Sequence, residues 1–232
     1  MHQPSCRLAN DTRCAGFALQ PLAYLCHVKL NPKLLIGLGL LLIFGYFLQD
    51  LVFGNDQYAV GIKKARSEKN DSFRRGNTSP LLTAQRATFD SLRYFAPDKT
   101  YRFIAQWEPL AAHDTVLIPL TNGKVEKYLR WGRASFTLDS QPQQLTCLLK
   151  ADGKDTTLFV PFTDKTNGFD TYGGGRYLDA PKPRPNDKEI TLDFNAAYNP
   201  YCAYNSEYVC PVPPADNRMK VAVKAGEKSF HE

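Results

Sequence analysis

Two apolar runs joined by Asn122-Gly123 constrain this chain more than any other feature. Thr115–Leu120 and Val125–Trp131 flank the dipeptide. Asn-Gly in that setting predicts a hairpin, because a type I′ turn needs positive φ at both central residues. The same two-residue period begins earlier, where Tyr101, Phe103, Ala105 and Trp107 alternate with Arg102, Ile104 and Gln106, the pattern of a half-buried strand. Ser135–Leu138 and Leu145–Leu149 predict a further pair, and Asp152-Gly153 a second hairpin leading into Thr156–Phe162. Ile190–Phe194 and Met219–Ala225 bring the count to about eight strands. No βαβ alternation appears, so the expected fold is mainly β (β-rich α+β), an antiparallel barrel or sandwich. Two helices precede it: about Tyr58 to Ser72, capped by Asn55 or Asp56, and Thr83 to about Tyr94, ended by Pro97. The 14 Phe, 12 Tyr, 16 Pro and 15 Gly suit such a turn-rich sheet protein.

Ahead of this domain, Leu34–Leu48 is fifteen residues without a charge. Counted on to Phe53 the run reaches 20 residues, the length that crosses a hydrocarbon core. Lys29 and Lys33 precede it, and Gln49–Phe53 holds neither a small-residue cleavage site nor a lipidation cysteine. Residues 28–53 are therefore expected to be an uncleaved signal anchor, with the lipid bilayer as partner, against the alternative of a buried core helix. Lys63, Lys64, Arg66 and Lys69 oppose an N-inside orientation, but large downstream domains translocate largely regardless of charge. Residues 54–232 are accordingly expected as one globular domain in a periplasmic or extracellular location. A mean hydropathy of −0.38 excludes a polytopic membrane protein. Residues 1–27 carry no period and hold Cys6, Cys14 and Cys26. They read either as a disordered tail or as a start placed too early, with Val28 as the true first residue.

The net charge of +6 is uneven: residues 54–102 carry ten Lys/Arg against five Asp/Glu. That excess reads as a solvated basic helix beside a membrane. No basic-aromatic module of a nucleic-acid fold accompanies it, so no nucleic-acid partner is expected.

Two segments lack strand periodicity, residues 163–188 and 195–218, and long ordered loops are more often functional than idle. The first continues Pro161-Phe-Thr-Asp-Lys-Thr-Asn-Gly-Phe-Asp-Thr-Tyr-Gly-Gly-Gly-Arg-Tyr-Leu178. The second follows Leu192-Asp-Phe-Asn-Ala-Ala-Tyr-Asn-Pro-Tyr-Cys-Ala-Tyr204, with Tyr208-Val-Cys-Pro-Val-Pro-Pro214, Asn217-Arg218 and Ala225-Gly-Glu-Lys228 beyond. These strings, with Ser79-Pro-Leu81, Tyr94-Phe95 and Gly132, resemble the bacterial and archaeal family called domain of unknown function 1684. The resemblance runs from about Tyr58 to Lys228, and Met219 stands where the family pattern has Leu. It implies no established activity, and no cofactor or catalytic role comes with it.

The chemistry must be read from side chains. Gly173-Gly174-Gly175 beside Arg176 can cradle an anion or simply make a tight turn. Asp164, Asp170, Asp179 and Asp193 supply carboxylates for acid–base work, cation binding or turn capping, and no EF-hand spacing joins them. Cys202 and Cys210 read as a disulfide in an oxidising compartment, as a reduced structural pair, or as reactive thiols. A thiol nucleophile usually needs a histidine, and the globular part has only His113 and His231. Cys147 reads as a buried thiol in a strand. No metal site follows from these spacings, and GxSxG, HExxH and GxGxxG are absent.

The favoured expectation is a binding module whose pocket lies between loops 163–188 and 195–218. Asp164, Thr166, Tyr172, Arg176, Tyr177, Asp193, Asn195, Tyr198 and Asn199 would contact a small polar, sugar-like ligand. The alternatives are a carboxylate-based, hydrolase-like enzyme using Asp164 with Asp193 or Arg176 with Tyr177, and a structural envelope protein. Arg176 is expected to find its carboxylate at Asp193.

Overall fold

The structure, a computed structural model, describes residues 32–110, 114–151 and 156–230. Residues 1–27, Val28, Asp152-Gly153, His113 and His231 lie outside the described residues. Two compact units are distinguished, Met1–Phe47 and Leu48–Glu232. In the first, the described residues form the start of helix α1 (Pro32–Arg75). Leu35, Ile36, Leu38, Leu40 to Phe44 and Tyr46 are all exposed there. Among the described residues no helix is long and apolar enough to cross a membrane, so the anchor expected over Leu34–Phe53 is not supported at that length.

The second unit begins within α1. No break occurs at Asn55 or Asp56, where a cap was expected, and the helix is continuous to Arg75. Gly76 ends it, its N–H donating to Ser72 O at 2.7 Å. The second helix, α2 (Thr83–Thr88), is shorter than expected, and Phe89 leaves it in an extended conformation.

Among the described residues seven strands follow: β1 (Arg102–Pro109), β2 (Thr115–Pro119), β3 (Val125–Leu138), β4 (Gln141–Lys150), β5 (Thr157–Phe162), β6 (Arg176–Pro181) and β7 (Glu189–Asp193). All ladders are antiparallel, in the order β6-β5-β4-β3-β1-β7, with β2 paired to β3. The end strands β6 and β7 also touch, making a nearly closed barrel. Just past β7, Tyr177 and Tyr198 exchange both backbone hydrogen bonds at 2.8 and 2.9 Å. The core runs through Leu145, Leu158, Val160, Phe162, Leu178, Leu192, Phe194 and Val223, each at most 1% exposed.

Four differences from the sequence reading have physical causes. The Asn122-Gly123 hairpin exists, but only Gly123 has positive φ (81°). Lys124 N–H donates to Asn122 Oδ1, so the asparagine side chain closes a wider turn. The two-residue turn with both φ positive is instead Asp139-Ser140, at 52° and 57°. The two strands expected in 125–138 are one long strand whose register shifts between Arg130 and Gly132, a bulge that lets β3 curve. The third and fourth differences are β6, unexpected, and Met219–Ala225, which alternates buried and exposed residues yet is no named strand. Both trace to Arg176, as shown below.

At the bulge, a Cβ on Gly132 would lie 2.2–2.4 Å from the buried Trp107 ring. Gly132→Ala should therefore cost about 1–3 kcal/mol in urea unfolding. Gly61→Ala, on the exposed part of α1 with nothing within 4 Å, should stabilise by up to about 1 kcal/mol.

Candidate functional site

Arg176 is the first residue of β6 and points into the barrel, 0% exposed. Its Nη2 donates to Asp164 Oδ2 at 2.9 Å, and the Asp164 side chain is likewise fully buried. The guanidinium also donates to the carbonyls of Val223, Ala225 and Glu227. Asp164 Oδ1 in turn accepts from Val223 N–H and from the N–H and hydroxyl of Thr166. Burying a charge is tolerated only when it is paired and its hydrogen bonds are satisfied. This pair meets most of that condition by consuming the backbone groups of Val223 and Ala225, with Arg176 Nε alone in the guanidinium left without a partner. The C-terminal segment thus lies extended against the barrel, with Val223 and Ala225 bonded to side chains while Met219 N–H and Val221 O bond to the backbone of Thr163 and Lys165.

The loop between β5 and β6 is folded on this pair. Thr166 and Thr171 hydroxyls lie 2.8 Å apart. Asn167 Nδ2 donates to Tyr172 O at 2.8 Å, and Gly168 N–H to Thr171 O. Gly175 needs its φ of 92°, since a Cβ would sit 2.7 Å from Phe162 O and Pro213 Cγ. The triple glycine is therefore a turn into β6, and Arg176 faces away from any ligand at it. Phe169 projects from the loop tip, 87% exposed.

Asp193, expected beside Arg176, instead accepts from Tyr58 on α1, at 2.8 Å to each oxygen. It also accepts from Asn195 N–H and Nδ2 and approaches Arg102 at 3.9 Å. Burial and this carboxylate push the Tyr58 hydroxyl well above its ordinary pKa. Asn195 is buried and ties its side chain to Asp98 through N–H and carbonyl, at 2.8 and 2.7 Å. Tyr177 donates to Pro211 O, and Tyr198 to Asp179 at 3.0 Å. Burial, first of all, raises the pKa of both phenols. The structure thus joins Asp164, Thr166 and Arg176 in one network and places Asp193 and Asn195 in another.

A third network joins Asn199, named as a contact from the sequence, to Glu227 and Tyr204, which were not. Glu227, 1% exposed, accepts from Lys69 on α1 at 2.8 Å, from Asn199 Nδ2 at 3.1 Å and from the Tyr204 hydroxyl. Arg66 on α1 donates to Phe95 O and Asn195 O and stacks 4.4 Å from the Tyr94 ring centroid. Arg66 and Lys69 of the basic helix α1 are thus docked on the barrel, whereas Lys63 and Lys64 remain solvated. Asn199 is fully buried here and serves Glu227 and Lys228 O. The charge pattern of α1 was the visible signal, but its partner 158 residues away was not.

Cys202 and Cys210 are free thiols, as is Cys147; the covalent bond considered from the sequence is not formed. Tyr172 Oη lies 3.8 Å from Cys202 Sγ, and burial pushes the Tyr172 phenol up to about 12. Among the described residues no group of three His, Cys, Asp or Glu can hold a metal ion.

A cavity of about 730 Å³ opens between the two long loops. Thr163, Asp164, Lys165, Asn167 and Gly173 line one side, and Ala215, Arg218, Met219 and Lys220 the other. Lys165 N–H donates to Val221 O at 3.0 Å, and Thr163 bridges Arg218 in parallel register, so the two walls are stitched together. Lys165, Arg218 and Lys220 are exposed, and their side chains were not foreseen as contacts.

A nearly closed antiparallel barrel, clamped by an inward arginine and covered by one helix, defines a small β-barrel class of protein. The chain belongs to the family described as protein of unknown function (DUF1684), whose model matches residues 87–228. A solved relative is the solution NMR structure of the uncharacterized protein from gene locus rrnAC0354 of Haloarcula marismortui. It is 37% identical, with a TM-score of 0.62, over 76% of this chain and 97% of that one. Among curated proteins, none matches the chain.

The buried pair makes a direct prediction. Asp164→Asn leaves Arg176 without its counter-charge and should cost about 3–5 kcal/mol in chemical denaturation. Asp193→Asn, at a half-buried site that keeps a hydrogen-bond acceptor, should cost only about 1 kcal/mol.

Proposed function

We propose that this protein is a membrane-anchored, extracytoplasmic binding module for a small polar ligand bearing a phosphate or carboxylate, such as an acidic sugar. The ligand would occupy the cavity between residues 163–173 and 215–220. One observation carries this reading: Lys165, Arg218 and Lys220 gather at the cavity with no ion pair or hydrogen bond from their side chains among the described residues. Three like charges held close repel one another, and an anion between them converts that repulsion into attraction. Asp164 at the cavity floor cannot neutralise them, because Arg176 already holds it.

The enzyme reading gains less support. Asp164 is fully buried on Arg176, Asp193 is engaged by Tyr58, and the Tyr177 hydroxyl is bound to Pro211 O. None of the proposed acid–base pairs is open to a substrate in this arrangement.

The anchor rests on α1 residues 35–46, which expose leucine, isoleucine and phenylalanine around the helix. A helix apolar all round belongs in lipid or in a protein core. Full-length protein should accordingly pellet with membranes and resist carbonate extraction, and protease added outside spheroplasts should digest the barrel. Protein in the carbonate supernatant would remove the anchor, and protection until lysis would reverse the orientation.

The ligand reading is tested by calorimetric titration with glucuronate, glucose 6-phosphate and neutral glucose. Binding of an acidic sugar that weakens with added salt and disappears in Lys165→Gln/Arg218→Gln/Lys220→Gln is expected. Equal binding of glucose, or an affinity unchanged in the triple variant, contradicts it.

A further inference from the structure

We infer that Cys202 and Cys210 form a reversible dithiol–disulfide couple, a modification site that reacts with a low-molecular-weight disulfide. The inference does not depend on the anion-binding reading, since neither cysteine lines that cavity.

The two cysteines are already in contact. Cys202 lies in the short 3-10 turn Tyr201–Ala203, and its backbone N–H donates to Cys210 Sγ at 3.1 Å. Tyr172 Oη lies 3.8 Å from Cys202 Sγ. Cys210 is held from the other side by the β2–β3 hairpin. Its N–H donates to Thr121 Oγ1 at 3.1 Å and its carbonyl accepts from Thr121 N–H at 3.0 Å. Both partners are thus positioned by backbone structure that an S–S bond need not disturb.

The environment divides the labour. Cys202 is half-buried and can meet a reagent, whereas Cys210 is buried behind it. The hydrogen bond from Cys210 pulls the Cys202 thiol down to about 7, with Tyr172 assisting against the opposing effect of burial. The Cys210 thiol is raised by the same pairing and by burial. Cys147, within β4, is pushed up to about 12 by burial alone and takes no part. A thiolate is the attacking species in exchange, and a thiol whose pKa lies near ambient pH attacks fastest.

The reaction balances with glutathione disulfide as the oxidant. Cys202 thiolate attacks one sulfur of the disulfide, the S–S bond breaks, and one glutathione thiolate leaves and takes up a proton. Cys210 then loses its proton and attacks the Cys202 sulfur, expelling the second glutathione. The protein gives up two electrons and two protons overall, and the oxidant becomes two thiols. The new bond closes the segment 203–209 into a ring and removes the Cys202 thiol from Tyr172.

The test equilibrates the full chain in buffers of increasing glutathione disulfide content, traps thiols with iodoacetamide and reads the peptides by mass. The peptides carrying Cys202 and Cys210 should lose both alkylation sites together, regain them with dithiothreitol, and leave Cys147 unalkylated until denaturation. In Cys210→Ser a glutathione adduct should accumulate at Cys202, because no second thiol remains to expel it. The rate of its formation rises with pH because deprotonation creates the nucleophile. Tyr172→Phe should slow the reaction several-fold at neutral pH. If wild-type Cys202 and Cys210 remain fully alkylated in oxidised glutathione, or an adduct at Cys202 persists unresolved, the couple does not exist. The wild-type measurement decides this even where a variant fails to fold.

Discussion

The ion pair between Arg176 and Asp164 organises the whole barrel. Both side chains are sealed from solvent, so each must be satisfied by protein groups alone. Arg176 reaches for three carbonyls and Asp164 for the Val223 N–H. Those groups lie on the C-terminal segment. One charge pair therefore sets where β6 begins, how the 163–175 loop folds back, and why residues 219–227 pack without a ladder of their own.

A second buried charge performs the same task for the helix. Glu227 sits at the end of that C-terminal segment, and Lys69 reaches it from α1. Tyr58 and Arg66 add contacts to Asp193 and to the carbonyls of Phe95 and Asn195. The helix is thus attached by polar groups directed at specific partners, and apolar contact at Phe73 with Tyr204 completes it. Because Arg176 also contacts Glu227 O, the two charge networks share one short stretch of chain. The cavity with its cationic rim stands on that stretch too, at Arg218 to Lys220.

The antiparallel barrel was legible in the sequence because apolar alternation over β1, β2, β4, β5 and β7 is what half-buried strands require. What escaped were the places where charge replaces apolarity. β6 alternates well, yet its inward position 176 is an arginine, and a period count treats that residue as outward. Met219–Ala225 has the opposite character, a strand pattern whose hydrogen bonds at Val223 and Ala225 are taken by side chains far away in sequence. Asp139-Ser140 adopts positive φ without glycine, so no turn signal marked it. At the candidate site, the two loops do line one cavity, but Asp193 belongs to Tyr58. Choosing Asp164 over Asp193 as the partner of Arg176 needs the closed barrel, since only that geometry shows which carboxylate shares the interior. The three cations of the rim, each ordinary alone, come to one cavity only through the folding of the two loops.

Native-state hydrogen exchange tests most directly whether the buried pair pins the C-terminal segment. The amides of Val223, Lys165 and Thr166 donate to Asp164 Oδ1, Val221 O and Asp164 Oδ1 respectively. They should exchange as slowly as the ladder amides of β3 and β4, opening only with global unfolding. Exchange of these three at the rate of an exposed loop, while β3 and β4 stay protected, would contradict the account.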